Sequence, residues 1–304
     1  AELIDVNPAA RTTCVKPSGN ASVLLQTASG IHAEHSPMYI RNVQMNKESE
    51  ITQSIMQSNP YMVEESVWSA GGTDVVVSFP ILPKKGSYYK DDLLGIDHLE
   101  LVKKAQQNWV VAGTNEELCA DEGIRHNVSN TIIVDDWDRV ERYVFENRYF
   151  FSGISFLAAT GDKDFNQAPN TAVISANEMV KKYSNAAIFA SGMVVDALKC
   201  FKNLWDACAT AQGYGEKLTE ESSANALKRD WVRRFKQFAD NYTNGDIKQA
   251  EYCLKDAYLL HKWNKIQDNL KEINWLEDVR EKKYVDVDTI ASAACVGGAC
   301  EIDF

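Results

Sequence analysis

The sequence predicts an α/β fold that continues into a helical region and ends in a flexible, cysteine-bearing tail. Three observations predict it. Between residues 127 and 157, two β-branched runs flank an amphipathic helical stretch. From about residue 175 the apolar spacing turns helical and stays so for some 110 residues. The last twenty residues become polar and then small, the composition of a loosely held end. Hydrophobic residues at 45% and charged residues at 25% are the balance of a chain that folds around its own core.

Taken in order, residues 10–35 read as strand end, loop and helix. Pro17-Ser18-Gly19-Asn20 is turn chemistry, and Ser22–Ser29 is a short helical run stopped by Gly30. Residues 36–70 are mixed in character. Thr73–Pro80 is a short strand, rich in valine and closed by proline. Pro83–Tyr89 is a charged loop, and His98–Trp109 carries apolar residues at helical spacing before Gly113. Asn127–Val134 reads as a strand. Asp135 or Asp136 caps a helix from Trp137 to Asn147, with Trp137, Val140, Val144 and Phe145 on one face. Gly153–Leu157 is a third strand. Strand, helix, strand in that order predicts a parallel βαβ unit.

Three long helical stretches follow, over 176–212, 219–242 and 246–279. Gly213 and Gly215 separate the first two, Asn244-Gly245 breaks the second from the third, and Asp246 is the expected N-cap. Trp231–Phe238 is a basic-faced amphipathic segment, read as a solvated face over a core stripe. The expected divisions are 1–174, 175–285 and a tail over 286–304.

A net charge of −11 argues against a general nucleic-acid binder, which needs clustered Lys and Arg, but leaves room for a local site for a small phosphorylated ligand. No apolar run reaches the length of about 18 residues that marks a membrane span, so no membrane partner is expected. The start, Ala1-Glu-Leu-Ile-Asp-Val, lacks the basic and apolar regions of a signal peptide. Seven cysteines, irregularly spaced outside the tail, fit a reducing compartment, and a cytoplasmic location is expected. Cys119, Cys200, Cys208 and Cys253 are read as small buried apolar side chains. The chain opens at Ala1 without a methionine, so it is expected to be the C-terminal piece of something longer or a processed product.

Two motifs carry chemistry. The tail Cys295-Val-Gly-Gly-Ala-Cys300 places two thiols on a segment free to bend, suited to thiol–disulfide exchange. The loop Thr12–Ser22 leads from an extended segment into a helix, where free N–H groups and the helix dipole favour an anion. Gly19 lets a phosphate approach the backbone, and Ser18, Asn20 and Ser22 add donors. It is not a Walker loop, because no Gly-Lys-Ser/Thr follows. His32-x-x-His35 lacks a well-placed third ligand, so a local polar or substrate-edge role is expected and no metal site. Cys14 is expected to pack beneath the loop, and Tyr149, Phe150 and Phe151 to form a core cluster. Glu64-Glu65 and Asp135-Asp136 are read as surface or cap residues rather than acid–base pairs.

Thr13–Gly19, Thr27–His32 and Pro37-x-Tyr-Ile-Arg41 together resemble the substrate-phosphate loop of ribonucleotide reductase large chains, closest to the adenosylcobalamin-dependent, class II kind. Gln107–Gly113, His126–Ser129 with Asn147, Gly153–Leu157 and Gln167–Pro169 resemble later pieces of that family, in the same order. Cys295-x4-Cys300 resembles its C-terminal shuttle pair. The resemblance implies a ten-stranded α/β barrel, of which residues 1–174 are the C-terminal part. It implies reduction of a ribonucleotide to a deoxyribonucleotide, the precursor of DNA replication, by a thiyl radical made through cobalt–carbon homolysis. Thioredoxin or a similar reductant would be a partner. Ser18, Gly19, Asn20, Ala21 and Ser22 would hold the substrate phosphates, and Cys295 and Cys300 would relay electrons. Two departures stand out. The family's Asn-Pro-Cys finger is missing, since Ala9 follows Asn7-Pro8, and Ala158 replaces the proline that often follows Leu157. The chain alone is therefore not expected to turn over, and an N-terminal part is implied, on the same chain or another. The alternative is a separately encoded, catalytically silent nucleotide-binding subunit that docks on a partner carrying the radical site. A general dithiol reductase is disfavoured because Cys-x-x-Cys is absent.

Overall fold

The computed structural model describes residues 1–19, 21–159, 161–218 and 222–275. In chain order the elements are α1 (Ala21–Leu24), β1 (Tyr39–Asn46), α2 (Glu50–Ser58), β2 (Val63–Glu65), β3 (Asp74–Ile81), α3 (Gly95–Ala105), β4 (Thr131–Val134) and α4 (Trp137–Glu146). After these come β5 (Ser155–Ala158), β6 (Asn170–Ala172), α5 (Ala176–Tyr183), α6 (Ala186–Cys200), α7 (Leu204–Gln212), α8 (Ser223–Tyr242) and α9 (Ile247–Asn269). Among the described residues they form a mixed α/β molecule of two compact units, each drawn from two stretches: 1–37 with 82–161, and 38–81 with 162–275. None of the described helices is long and apolar enough to cross a membrane.

The first unit contains the expected parallel βαβ. β4 and β5 pair from Thr131↔Ser155 to Val134↔Ala158, with α4 between them in sequence. The carboxylate of Asp136 accepts from Arg139 N, the expected cap. The buried stripe of α4 differs from expectation. Val140 is buried, with Tyr143 and Val144 packed beside it, while Trp137 and Phe145 are 53% and 67% exposed. Phe145 follows Val144 by one residue, a turn of about 100° around the helix, and so leaves the stripe. The core joins Leu99 and Val102 of α3 to Val128, Ile132 and Val134. The expected helix His98–Trp109 begins earlier, at Gly95, and changes at Ala105 into a wider π-helical turn over Gln106–Val111. Strand pairing is also shorter than the sequence suggests, starting at Thr131 rather than Asn127.

The second unit holds a four-stranded antiparallel sheet in the order β2-β3-β1-β6. β3 is the expected valine strand, and β1 is its long partner, running from Tyr39↔Ile81 to Asn46↔Asp74. The helices begin at Ala176, where Ser175 and Glu178 form a capping box. The expected continuous stretch 176–212 is three helices. Ser184, at φ +49°, ends α5, and an extended Phe201 ends α6. Asn203 then accepts from Asp206 N and starts α7. Asp246 caps α9 as expected, and α9 ends at Asn269 rather than 279. Along α8, Trp231, Phe235 and Phe238 are buried against Ala190, Val194 and Ala197 of α6 and Leu254 of α9, while Arg233 faces water. This is the expected core stripe under a basic face.

Cys208 and Cys253 are fully buried, and burial pushes both thiols up to about 12. Cys119 and Cys200 are half-exposed instead of buried, and Cys200 Sγ lies 3.4 Å from Asp196 O, in the previous turn of its helix. Cys295, Cys300 and Asn20 lie outside the described residues.

Candidate functional site

The Thr12–Ser22 loop belongs to the first unit, where its leading half is fastened by two distant stretches, 109–113 and 126–129. Thr12 donates to Gly113 O through both its N–H and its hydroxyl, each at 2.9 Å. Thr13 Oγ1 donates to Trp109 O at 2.6 Å, and the Trp109 indole N–H donates to Cys14 O at 3.1 Å. His126 Nδ1–H donates to Thr13 O at 3.1 Å. Val15 pairs parallel with Val128, its N–H donating to Asn127 O and its carbonyl accepting from Ser129 N. Asn130 O instead accepts from Ser155 N. Alternate residues of a strand address opposite neighbours, so Val15 and β5 flank the 127–134 segment on its two sides. Asn127 Oδ1 also accepts from Gly153 N at 3.1 Å.

Gly113 is required by this fastening. A Cβ there would stand 2.0 Å from Thr13 Oγ1 and 2.6 Å from its Cγ2. Gly113→Ala must push Thr13 off Trp109 O, and is expected to cost about 1–3 kcal/mol as an overpacking change. Chemical denaturation of the two forms measures it. Gly113→Ala together with Thr13→Ala should recover most of the loss, because the second change vacates the occupied space.

The turn itself is open. Gly19 has φ +56°, and a Cβ on it would meet nothing within 4 Å, so glycine is needed there for backbone freedom rather than for space. Ser18 N donates to Ser29 Oγ at 2.9 Å, and the two hydroxyls are 3.4 Å apart. Ser22 is buried, and its hydroxyl donates to Gly19 O at 3.0 Å, which braces the turn. The expected helix over Ser22–Ser29 is one turn only, Ala21–Leu24, because Gln26 adopts φ +53°. So short a helix adds little dipole, and the Ser18 and Ala21 N–H groups already donate, to Ser29 Oγ and Ser18 O.

Behind the turn stand two histidines. His32 Nδ1–H donates to Ser29 O at 2.9 Å and its Nε2 accepts from Thr131 N at 3.0 Å, which fixes the orientation of the ring. This is the local polar role expected of it, and it ties the loop to β4. Buried His98 donates from Nε2 to Ile31 O at 3.0 Å, edge-on to His32 with ring centroids 5.8 Å apart. Burial and then the neighbouring His32 lower the His98 pKa below 6.5, against the raising effect of the Ile31 carbonyl. As pH falls, the unfolded chain therefore takes up this proton before the folded one, and stability is lost from about pH 6.5 down through the folded value. Thermal midpoints should fall over that window, and His98→Leu should flatten the slope.

Other expected roles are relocated. Cys14 is exposed rather than packed beneath the loop, since its backbone carbonyl, not its side chain, faces Trp109. Tyr149 is 83% exposed and lies under the Arg148 guanidinium at 4.6 Å, while Lys103 sits 5.0 Å over Phe150. These two are cation–π contacts, while Phe151 packs against the core beside Tyr143, so the expected core cluster holds for Phe151 and fails for Tyr149. Glu64, in the second unit, is paired rather than a free surface acid. Burial would raise its carboxyl, but Lys262 at 3.0 Å, helped by Tyr258 and Gln167, holds it below the usual carboxylate range. Among the described residues, no group of three or more His, Cys, Asp or Glu is placed to hold a metal ion.

No family model matches the chain. A stretch of 170 residues, 55% of this chain, is 26% identical to a Dictyostelium discoideum protein named "Probable adenosylcobalamin-dependent ribonucleoside-triphosphate reductase", of which it covers 21%. Among solved structures, a B-12 dependent (class II) ribonucleotide reductase overlays 54% of this chain and 21% of its own, at 17% identity and a TM-score of 0.42. The resemblance read from the motifs is thus shared by the curated relative, and this chain spans about a fifth of that relative's length.

Proposed function

We propose that this chain is the C-terminal portion of an adenosylcobalamin-dependent ribonucleoside-triphosphate reductase, acting in the cytoplasm. One observation carries the reading. The separate stretches that resemble the family, Thr13–Gly19, Gln107–Gly113, His126–Ser129 and Gly153–Leu157, meet in one unit through direct hydrogen bonds. Parallel neighbours on both sides of the 127–134 segment support its reading as part of the ten-stranded barrel.

In this reading the open turn holds substrate phosphates through Ser18, Gly19, Asn20, Ala21 and Ser22, with Ser22 acting as a brace from within. The loop's donors, backbone N–H groups and serine hydroxyls, suit phosphate oxygens. They do not suit a corrin ring, so adenosylcobalamin is assigned to the reductase as a whole and to none of the described residues. Cys295 and Cys300 pass electrons from thioredoxin or a similar dithiol to the barrel. Residues 1–174 form the barrel portion, 175–285 a helical region, and 286–304 the redox tail.

Gly19→Val in the complete reductase tests the phosphate loop. A β-branched residue held at φ +56° costs about 1–2 kcal/mol or displaces the turn, so ribonucleoside-triphosphate affinity should fall about tenfold. The melting temperature should fall by no more than a few degrees, because the strain is confined to one open turn. Unchanged nucleotide affinity would remove the loop from the substrate site.

A further inference from the structure

The second unit holds a cleft of about 510 Å³ between the end of β2, the 164–166 loop, α7 and α9. Four aromatic side chains, Trp68, Phe165, Trp205 and Tyr214, line it among mostly polar ones. Three of these rings are 61%, 57% and 86% exposed (Trp68, Phe165 and Tyr214), a concentration of bare aromatic surface at one concave place. The fourth is fixed from behind. The Trp205 indole N–H donates to Lys163 O at 2.8 Å, and the same carbonyl accepts from Lys255 Nζ at 2.7 Å.

Lys255 is 1% exposed, and its ammonium lies 5.2 Å from the centre of the Trp205 ring. Glu251, 2.5 Å away, neutralises it, and Gln212 holds the other oxygen of Glu251 at 2.6 Å. The floor of the cleft is therefore a locked polar knot that presents one aromatic face in a set orientation. With Lys255 and Glu251 cancelling, the remaining charges on the lining are the carboxylates of Asp164 and Asp206 against Lys202. Asp164 Oδ1 accepts from Tyr252, with Lys248 3.7 Å away, and Asp206 Oδ2 accepts from Asn203. Each carboxylate keeps a second oxygen for another donor.

We propose that this cleft binds a small, flat aromatic amine in its cationic form. The exposed rings sandwich the ligand ring, the ring faces and the carboxylates favour its positive charge, and the same carboxylates disfavour an anion of equal shape. The site does not depend on the reductase reading, since neither the phosphate loop nor the cysteine tail contributes a residue to its lining.

Calorimetric titration of the intact chain with tryptamine, and with indole-3-acetate as its charge-reversed counterpart, tests the proposal. Tryptamine should bind saturably, and indole-3-acetate about tenfold or more weaker. Trp68→Ala and Tyr214→Ala, both at exposed positions, should each weaken tryptamine about fivefold, and Asp206→Asn should narrow the preference between the two probes. No tryptamine binding at about 10 mM, a range in which even weak ring stacking registers, overturns the proposal. Equal affinity for the two probes, or unchanged affinity in both alanine variants, overturns it as well.

Discussion

Asp256→Ala is expected to cost about 3–5 kcal/mol, a large fraction of a domain's stability, because it strands buried charge. Asp256 is fully buried on α9. It pairs with Lys163, itself 7% exposed, and accepts from Lys182 Nζ at 3.2 Å and from the Tyr183 hydroxyl at 2.7 Å. Burial first, and then Asp256, pushes the Tyr183 phenol far above its usual range, so it stays a donor at any ordinary pH. Removing the carboxylate leaves the Lys163 ammonium without a counter-charge in an apolar setting. The test separates this from simple loss of packing. Lys163→Met with Asp256→Leu removes both charges while filling their space, and is expected to be near neutral or at most half as damaging as Asp256→Ala. If urea denaturation shows the double variant to be worse than the single, the pair contributes net stability and the desolvation argument fails.

That network also marks where the sequence stops being legible. Lys163 and Asp256 lie 93 residues apart, and neither stands in a pattern that announces a buried pair. Local signals are legible. The valine run of β3, the βαβ order and the caps at Asp136 and Asp246 rest on contacts within a few residues. β1 is hidden because its own residues Arg41, Asn42, Gln44 and Asn46 are polar. Asn42 donates to Ala168 O at 2.7 Å and accepts from Ser78 at 2.8 Å, so a residue that reads as loop satisfies a sheet interior. The breaks inside 176–212 escape notice because apolar periodicity continues across them. Only Asn203-x-x-Asp206, a capping spacing visible in the chain, could have placed the start of α7. In the phosphate loop, resemblance finds the pieces, but nothing local foretells that Gly113 must make room for Thr13, or that His98 backs His32. These are packing facts between stretches whose joining hydrogen bonds span 67 and 101 residues, beyond the reach of any periodicity.

Replacing Cys295 and Cys300 with serine in the complete reductase is expected to stop catalysis after about one turnover when a protein dithiol is the reductant. In the proposed relay, one tail thiolate attacks a disulfide in the barrel and forms a mixed disulfide. The second tail thiol displaces it, so the barrel pair leaves reduced and the tail leaves as a Cys295–Cys300 disulfide. The outside dithiol then supplies two electrons and two protons to restore the tail. Val296-Gly-Gly-Ala299 between the thiols gives the loop freedom to close, which single-residue spacers would not. Each single variant should therefore fail as completely as the double, by different routes. The one lacking the attacking thiol never engages the barrel, and the one lacking the resolving thiol accumulates mixed disulfide, visible by mass. A small dithiol such as dithiothreitol, able to reach the barrel pair itself, should restore turnover in all three. Rescue by the small dithiol together with failure by the protein dithiol locates the defect in electron delivery rather than in radical chemistry. Unchanged steady-state turnover with the protein dithiol would show that electrons reach the barrel without this tail.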